Sequence, residues 1–199
     1  MQINFALLLP IEAQNLIRKL ILSIHVSHGL DLYATLLPQH ISLKSSFMVD
    51  QMESIEPYFD SLAKAMTPVP VELSQIKLVN FEKKEESNIL LWIEVIENNQ
   101  LKEWHHLICE DFKNLGIPLS PFDGEAFSFH STLFYRSDEK VPMEQYEKAF
   151  RTIQEKELAF PCTPTKIALF CAPKPGENPF LSSFTYKIVP LGVPIEETA

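Results

Sequence analysis

The chain has 199 residues, enough to bury one sizeable core. Hydrophobic residues make up 46% and charged residues 22%, which excludes a disordered, collagen-like or coiled-coil chain. Lys and Arg total 17 against 26 Asp and Glu, a formal charge of −9, so the chain lacks the overall basic balance of proteins that grip long nucleic acid through its phosphates. A local basic cleft stays open. The five glycines (Gly29, Gly116, Gly124, Gly176 and Gly192) never approach GxGxxG or GxxxxGK(S/T) spacing, which excludes Rossmann-type dinucleotide and P-loop folds. Cys109, Cys162 and Cys171 are odd in number and form no CxxC, which points to a reducing compartment rather than a disulfide scaffold or thiolate zinc site.

In chain order, residues 2–9 (QINFALLL) read as a buried strand ended by Pro10. This opening has no basic n-region, so it reads as a first strand rather than a signal peptide, and no apolar run reaches the roughly eighteen residues of a membrane span. A cytoplasmic protein is expected. Residues 11–28 predict a helix with Ala13, Leu16, Ile17, Leu20, Ile21 and Ile24 inward and Gly29 as its C-terminal cap. Residues 39–44 (QHISLK) predict a strand. Residues 54–66 predict a helix with Ser54 as N-cap, Pro57 in the first turn, and Ile55, Phe59, Leu62 and Met66 inward. Strands follow over 71–81 and 88–96, joined by the charged turn EKKEES. Residues 100–115 predict a helix with Leu101, Trp104, Ile108 and Leu115 on one face. Residues 126–135 (AFSFHSTLFY) predict a strand, and 142–156 a helix opened by Pro142. Strands over 165–172 and 182–191 flank the loop PKPGENP.

The order helix, His-containing strand, helix, strand, strand thus occurs twice. His40 and His130 lie 90 positions apart, and Lys77/Lys166 and Phe81/Phe170 keep an offset of 89. The repeat is one of pattern rather than of residue identity. It predicts a single α+β domain over 1–199 with two lobes, about 1–97 and 98–199. Each lobe would be an antiparallel sheet with helices packed outside, the two related by a pseudo-twofold axis around a central cleft.

Each half carries one short motif at the same point: His40-Ile41-Ser42-Leu43 and His130-Ser131-Thr132-Leu133. Side chains alternate along a strand, so His40 and Ser42 share one face while Ile41 and Leu43 take the other, and His130 and Thr132 share a face in the same way. Two imidazole–hydroxyl pairs would then meet across one cleft. Imidazole titrates near neutrality, with an unperturbed pKa of about 6.5, so one ring can act as base and the other as acid without a metal. The flanking hydroxyls can donate to phosphoryl oxygens. Alternation extends this face to Lys44, Phe134 and Arg136, a phosphate-neutralising, a base-stacking and a second basic candidate, and turns Tyr135 toward the core. The bland reading of the motifs is two hydrogen-bonded histidines within a sheet.

The paired His-x-Ser/Thr-Leu motifs on strands of a duplicated α+β chain resemble the 2H (two-histidine) phosphoesterase superfamily, in particular its 2′-5′ RNA ligase and cyclic phosphodiesterase branch. The resemblance covers nearly the whole chain. It implies metal-independent hydrolysis, or reversible ligation, of 2′,3′-cyclic phosphate or 2′-5′ linkages in nucleotides or RNA ends. It assigns His40 and His130 as the catalytic pair, with Ser42 and Thr132 binding phosphate. The opening FALLLP is similar to that branch's first strand, which would place Phe5 at the site. This sequence departs from the branch in having Gln39 and Phe129 where Pro often precedes each histidine, and Gln2 where a basic residue is often seen.

No cofactor, metal or obligate protein partner is implied, and a monomer is expected. His25 and His28 share a helix face and complement the helix C-terminus; His105 and His106 read as surface residues and Cys109 as core. Two rivals remain. One is a non-catalytic nucleotide- or RNA-binding module on the same fold. The other is a metal hydrolase built on His25, His28 and nearby carboxylates.

Overall fold

Strand β1 (Gln2–Leu8) sets the plan of the molecule. Ile3, Phe5 and Leu7 fill the core from one face, while Asn4, Ala6 and Leu8 occupy the other. The computed structural model describes residues 1–83, 86–96, 98–125, 127–135, 141–154, 159–172 and 183–192. Helix α1 (Ile11–His28) buries Ala13, Ile17, Leu20, Ile21 and Ile24, with Leu16 left exposed. It ends at Gly29, whose φ of 69° is the left-handed conformation that only glycine adopts without strain. The chain then makes a 3-10 turn at Tyr33–Thr35 and enters β2 (His40–Ser42).

A two-residue strand, β3 (Phe47–Met48), precedes helix α2 (Glu56–Ala65). Pro57 falls in the first turn of α2 as expected. Ser54 is not the cap: it closes a 3-10 turn at Met52–Ser54 through a bond from its hydroxyl to the Gln51 carbonyl, and Ile55 holds the cap position. Strands β4 (Val71–Lys83) and β5 (Glu86–Val95) form a long hairpin. Asn98 caps helix α3 (Asn99–Asn114) by accepting from the Gln100 and Leu101 N–H groups. The remaining elements are β6 (His130–Tyr135), α4 (Met143–Ile153), β7 (Phe160–Cys162), β8 (Lys166–Ala172) and β9 (Phe184–Pro190). The short strands β3 and β7 carry too little pattern to be seen in sequence. The loop PKPGENP and Arg136 lie outside the described residues.

The strands form two antiparallel sheets. One runs β2-β1-β8-β9 with β3 paired to the start of β1; the other runs β6-β5-β4-β7. The architecture is the two-lobed α+β fold expected, but the lobes are not successive lengths of chain. Each sheet draws strands from both sides of residue 97, because a pair of strands from each repeat crosses over: β4 and β5 join β6 in the second sheet, and β8 and β9 join β1 in the first. The interleaving makes the two sheets a single folded unit around one main core.

The sheets are internally equivalent. In the first, β1 pairs with the histidine strand β2 through Leu8↔His40 and Ala6↔Ser42. In the second, β5 pairs with the histidine strand β6 through Glu94↔His130 and Trp92↔Thr132. Both histidine strands are sheet edges, and β2 and β6 pack against each other.

Candidate active site

The two edge strands bring His40, Ser42, His130 and Thr132 to one cavity of about 280 Å³. Period-two alternation does this: Ile41 and Leu43 behind the first motif, and Ser131 and Leu133 behind the second, are fully buried. The two imidazoles are held alike. His40 Nδ1 bonds to the Pro38 carbonyl at 2.8 Å and His130 Nδ1 to the Ser128 carbonyl at 2.7 Å, each two residues upstream. A carbonyl accepts only, so Nδ1 carries the proton in both rings and Nε2 is the basic nitrogen.

Their packing differs. His40 meets the Phe170 ring at a tilt, with centroids 4.6 Å apart. His130 lies nearly parallel to Trp92, with centroids 4.0 Å apart and planes at 20°. Burial lowers the pKa of both from the ordinary value near 6.5. For His130 it reaches about 4, burial outweighing the Ser128 carbonyl, which favours the cation, with the charge on His40 adding to the fall. Ser42 Oγ donates to Asn4 Oδ1 at 3.2 Å, and Asn4 Nδ2 in turn donates to the Lys44 carbonyl.

Two of the sequence-derived site residues stand elsewhere, and Lys44 lines the cavity but turns its ammonium away from it. Phe5 is fully buried on the core face of β1, among Phe47, Tyr58, Phe59 and Phe112. It is Asn4, one position earlier, that lines the cavity. Lys44 follows the end of β2, where the backbone bends and alternation stops. Its side chain runs into the interior, with Nζ 2.8 Å from Asp123 and over the rings of Phe47 and Phe112. Phe134 is buried in the core and Tyr135 lines the cavity instead. The cause is a β-bulge: Thr132 pairs with Trp92 and Phe134 with its neighbour Leu91, so Leu133 is the extra residue and the alternation slips by one.

His105 is buried, not a surface residue. It bonds through Nδ1 to the Leu43 carbonyl, accepts at Nε2 from the Gly124 N–H, and stacks on Phe127 at 4.2 Å. It thereby ties α3 to the end of the His40 strand. With Cys109 and Asp123 it forms a cluster of metal-ligand types among the described residues. Those donor atoms are committed: both nitrogens of His105 are bonded, and the Asp123 carboxylate takes Lys44 Nζ and the Ser45 and Ser120 N–H groups. A metal there would have to displace the bonds that hold the core together. His25 bonds to the Leu30 carbonyl just beyond its helix.

Paired histidine–hydroxyl edge strands in an interleaved two-sheet fold define a protein of the two-histidine phosphoesterase class. The chain belongs to the 2′-5′ RNA ligase superfamily, whose family model matches residues 10–171. No curated protein sequence matches it. The fold is shared with TT0787 of Thermus thermophilus, at 15% identity and a TM-score of 0.57 over 96% of this chain and 98% of that one. It is shared equally with E. coli LigT complexed with 3′-AMP, at 16% identity and a TM-score of 0.57 over 96% and 97%. A structure described as a phosphoesterase matches at 14% identity and a TM-score of 0.54 over 96% and 97%. No described helix is long and apolar enough to cross a membrane.

Proposed function

We propose that this protein is a metal-independent phosphodiesterase that hydrolyses 2′,3′-cyclic phosphate or 2′-5′ linkages of nucleotides or RNA ends, with reversible 2′-5′ ligation as the same opening of the cyclic phosphate by a 5′-hydroxyl in place of water. The observation that carries the reading is the matched pair of histidines, each with Nδ1 tied to the carbonyl two residues upstream and both lining one cavity with a hydroxyl beside them. For a 2′,3′-cyclic phosphate, the neutral imidazole takes a proton from water at Nε2 as the water oxygen bonds to phosphorus. The phosphorus bond to one ribose oxygen breaks, and the second, protonated imidazole delivers its proton to that oxygen. Ser42 and Thr132 donate to the non-bridging oxygens, where charge builds up; Ser42 exchanges its bond to Asn4 for one to phosphate. The family membership and the 3′-AMP held by LigT support a nucleotide substrate. The remainder of the proposal is a single two-lobed domain that acts in the cytoplasm as a monomer.

The test is hydrolysis of 2′,3′-cyclic nucleotides and a 2′-5′ dinucleotide in excess EDTA, for wild type, His40→Ala and His130→Ala. Wild-type turnover with a loss of about 100-fold or more in each variant is expected, the usual worth of a proton-transfer group. Full activity in either variant overturns the two-histidine mechanism. A wild type that binds nucleotide without turnover makes the protein a binding module.

A further inference from the structure

We infer that the buried hydrogen bond between Gln39 and Ser131 sets the spacing of the two histidines, which makes Gln39 and Ser131 positioning residues for proton transfer. Gln39 directly precedes His40 and Ser131 directly follows His130. By alternation both lie behind the cavity wall, and both are buried, at 2% and 0% exposure. Ser131 Oγ donates to Gln39 Oε1 at 3.0 Å across 92 positions of sequence. The other end of the same amide is fixed too, because Gln39 Nε2 donates to the Ala34 carbonyl at 2.9 Å and the Gln39 carbonyl accepts from the Leu9 N–H.

The bond is informative because of where it falls. Among the described residues β2 pairs only with β1 and β6 only with β5, so the two histidine strands belong to different sheets and meet without a backbone ladder. Within a sheet, ladder bonds fix the separation of neighbouring side chains. Here that separation depends on side chains. Two apolar residues of the same volume would fill the space between the strands and leave only the Ala34 carbonyl without its Gln39 donor. A polar pair is directional and accepts one arrangement, the registry role best attested for buried polar groups. Proton transfer in turn is steeply sensitive to placement: a shift of about 1 Å can cost 10²-fold.

This inference rests on the acid–base reading, and the experiment separates the two. Gln39→Leu, Ser131→Ala and the double variant are compared with wild type and with His40→Ala, reading kcat, KM and thermal stability with a 2′,3′-cyclic nucleotide. Ser131→Ala alone leaves the Gln39 oxygen buried without a donor, so its melting temperature falls. The double variant removes both members of the pair and leaves only the part-buried Ala34 carbonyl without its donor, so its stability returns part of the way toward wild type. Its kcat is expected to stay lower by about tenfold with KM within about twofold, since it is placement that has been lost. A double variant with wild-type kcat overturns the inference. If wild type and His40→Ala turn over alike, the acid–base reading has failed, and the spacing is then read from the imidazole nitrogen resonances. Shifts of both His40 and His130 in the double variant support the inference, and unmoved signals overturn it.

Discussion

Trp92 lies flat against the His130 imidazole, 4.0 Å between ring centroids, and covers one face of it. The contact pulls two ways. An aromatic face stabilises the imidazolium through its quadrupole, worth about 2 kcal/mol where water is excluded, or about 1.5 pH units. The same ring excludes water, and burial is what takes His130 from 6.5 to about 4. Exclusion is the larger effect. Trp92→Leu is therefore expected to raise the His130 pKa toward its ordinary value. An NMR titration of the ring protons checks this, and a further fall would show that the cation–π contact dominates.

Phe5 separates a core residue from a base-stacking one. Its ring is fully buried among four other aromatic rings, so Phe5→Ala is expected to cost about 3–5 kcal/mol of stability, the usual loss for an aromatic core truncation. Denaturant unfolding measures it. A stacking residue at the cavity would give the opposite result, a raised KM with stability hardly changed.

What the sequence revealed and what it hid follow one physical divide. Alternation is local, so it placed His40 with Ser42 and His130 with Thr132. It failed where a tertiary feature broke it. A bulge opposite Trp92 exchanged Phe134 for Tyr135, and the end of β2 released Lys44 into the interior. Phe5 sits in the run INFALLL, where Asn4 is the only polar residue, so the apolar members themselves did not say which face was core. The repeat was legible through the His40/His130 offset, but the exchange of the pairs β4/β5 and β8/β9 between sheets was not, because strand partners are chosen by contacts far apart in sequence. Trp92 and the Gln39–Ser131 bond became visible only once the sheets were assembled. The polar residue at Asn4, alternating with Phe5, was the one sequence signal that could have placed the cavity face.

The ion pair of Lys44 and Asp123 carries a stability prediction. Both side chains are fully buried. Burial by itself would raise the Asp123 carboxyl, but the bonds from Lys44 Nζ and from the Ser45 and Ser120 N–H groups outweigh it and hold the pKa below the ordinary carboxylate value. Asp123→Ala leaves the lysine charge buried and three donors unanswered, and is expected to cost about 3–5 kcal/mol. Lys44→Met, which keeps the packing on Phe47 and Phe112, should cost less. The pH dependence has a definite sign. A depressed carboxylate contributes stability fully present above its unfolded pKa of about 3.9 and lost as pH falls through the lower folded value. Unfolding curves between roughly pH 5 and 2 should therefore be steeper in wild type than in a Lys44→Met/Asp123→Leu variant.

The pH optimum gives the sharpest check on the histidine pair. Catalysis needs one imidazole neutral and the other protonated, a state that is most populated between the two macroscopic pKa values of the pair. Both rings are lowered from 6.5, His130 to about 4. The profile of kcat/KM reports the free enzyme, so its maximum is expected below pH 6.5. A bound phosphodiester brings a negative charge beside both rings and favours their protonated forms. The kcat profile, which reports the complex, should therefore lie at higher pH than that of kcat/KM. Initial rates on a 2′,3′-cyclic nucleotide across roughly pH 4–9 at constant ionic strength measure both. A kcat/KM maximum above about pH 7 would mean that the rings are hydrated in solution and that the cavity is more open than its geometry implies. Coincident profiles would mean that phosphate binds away from the histidines.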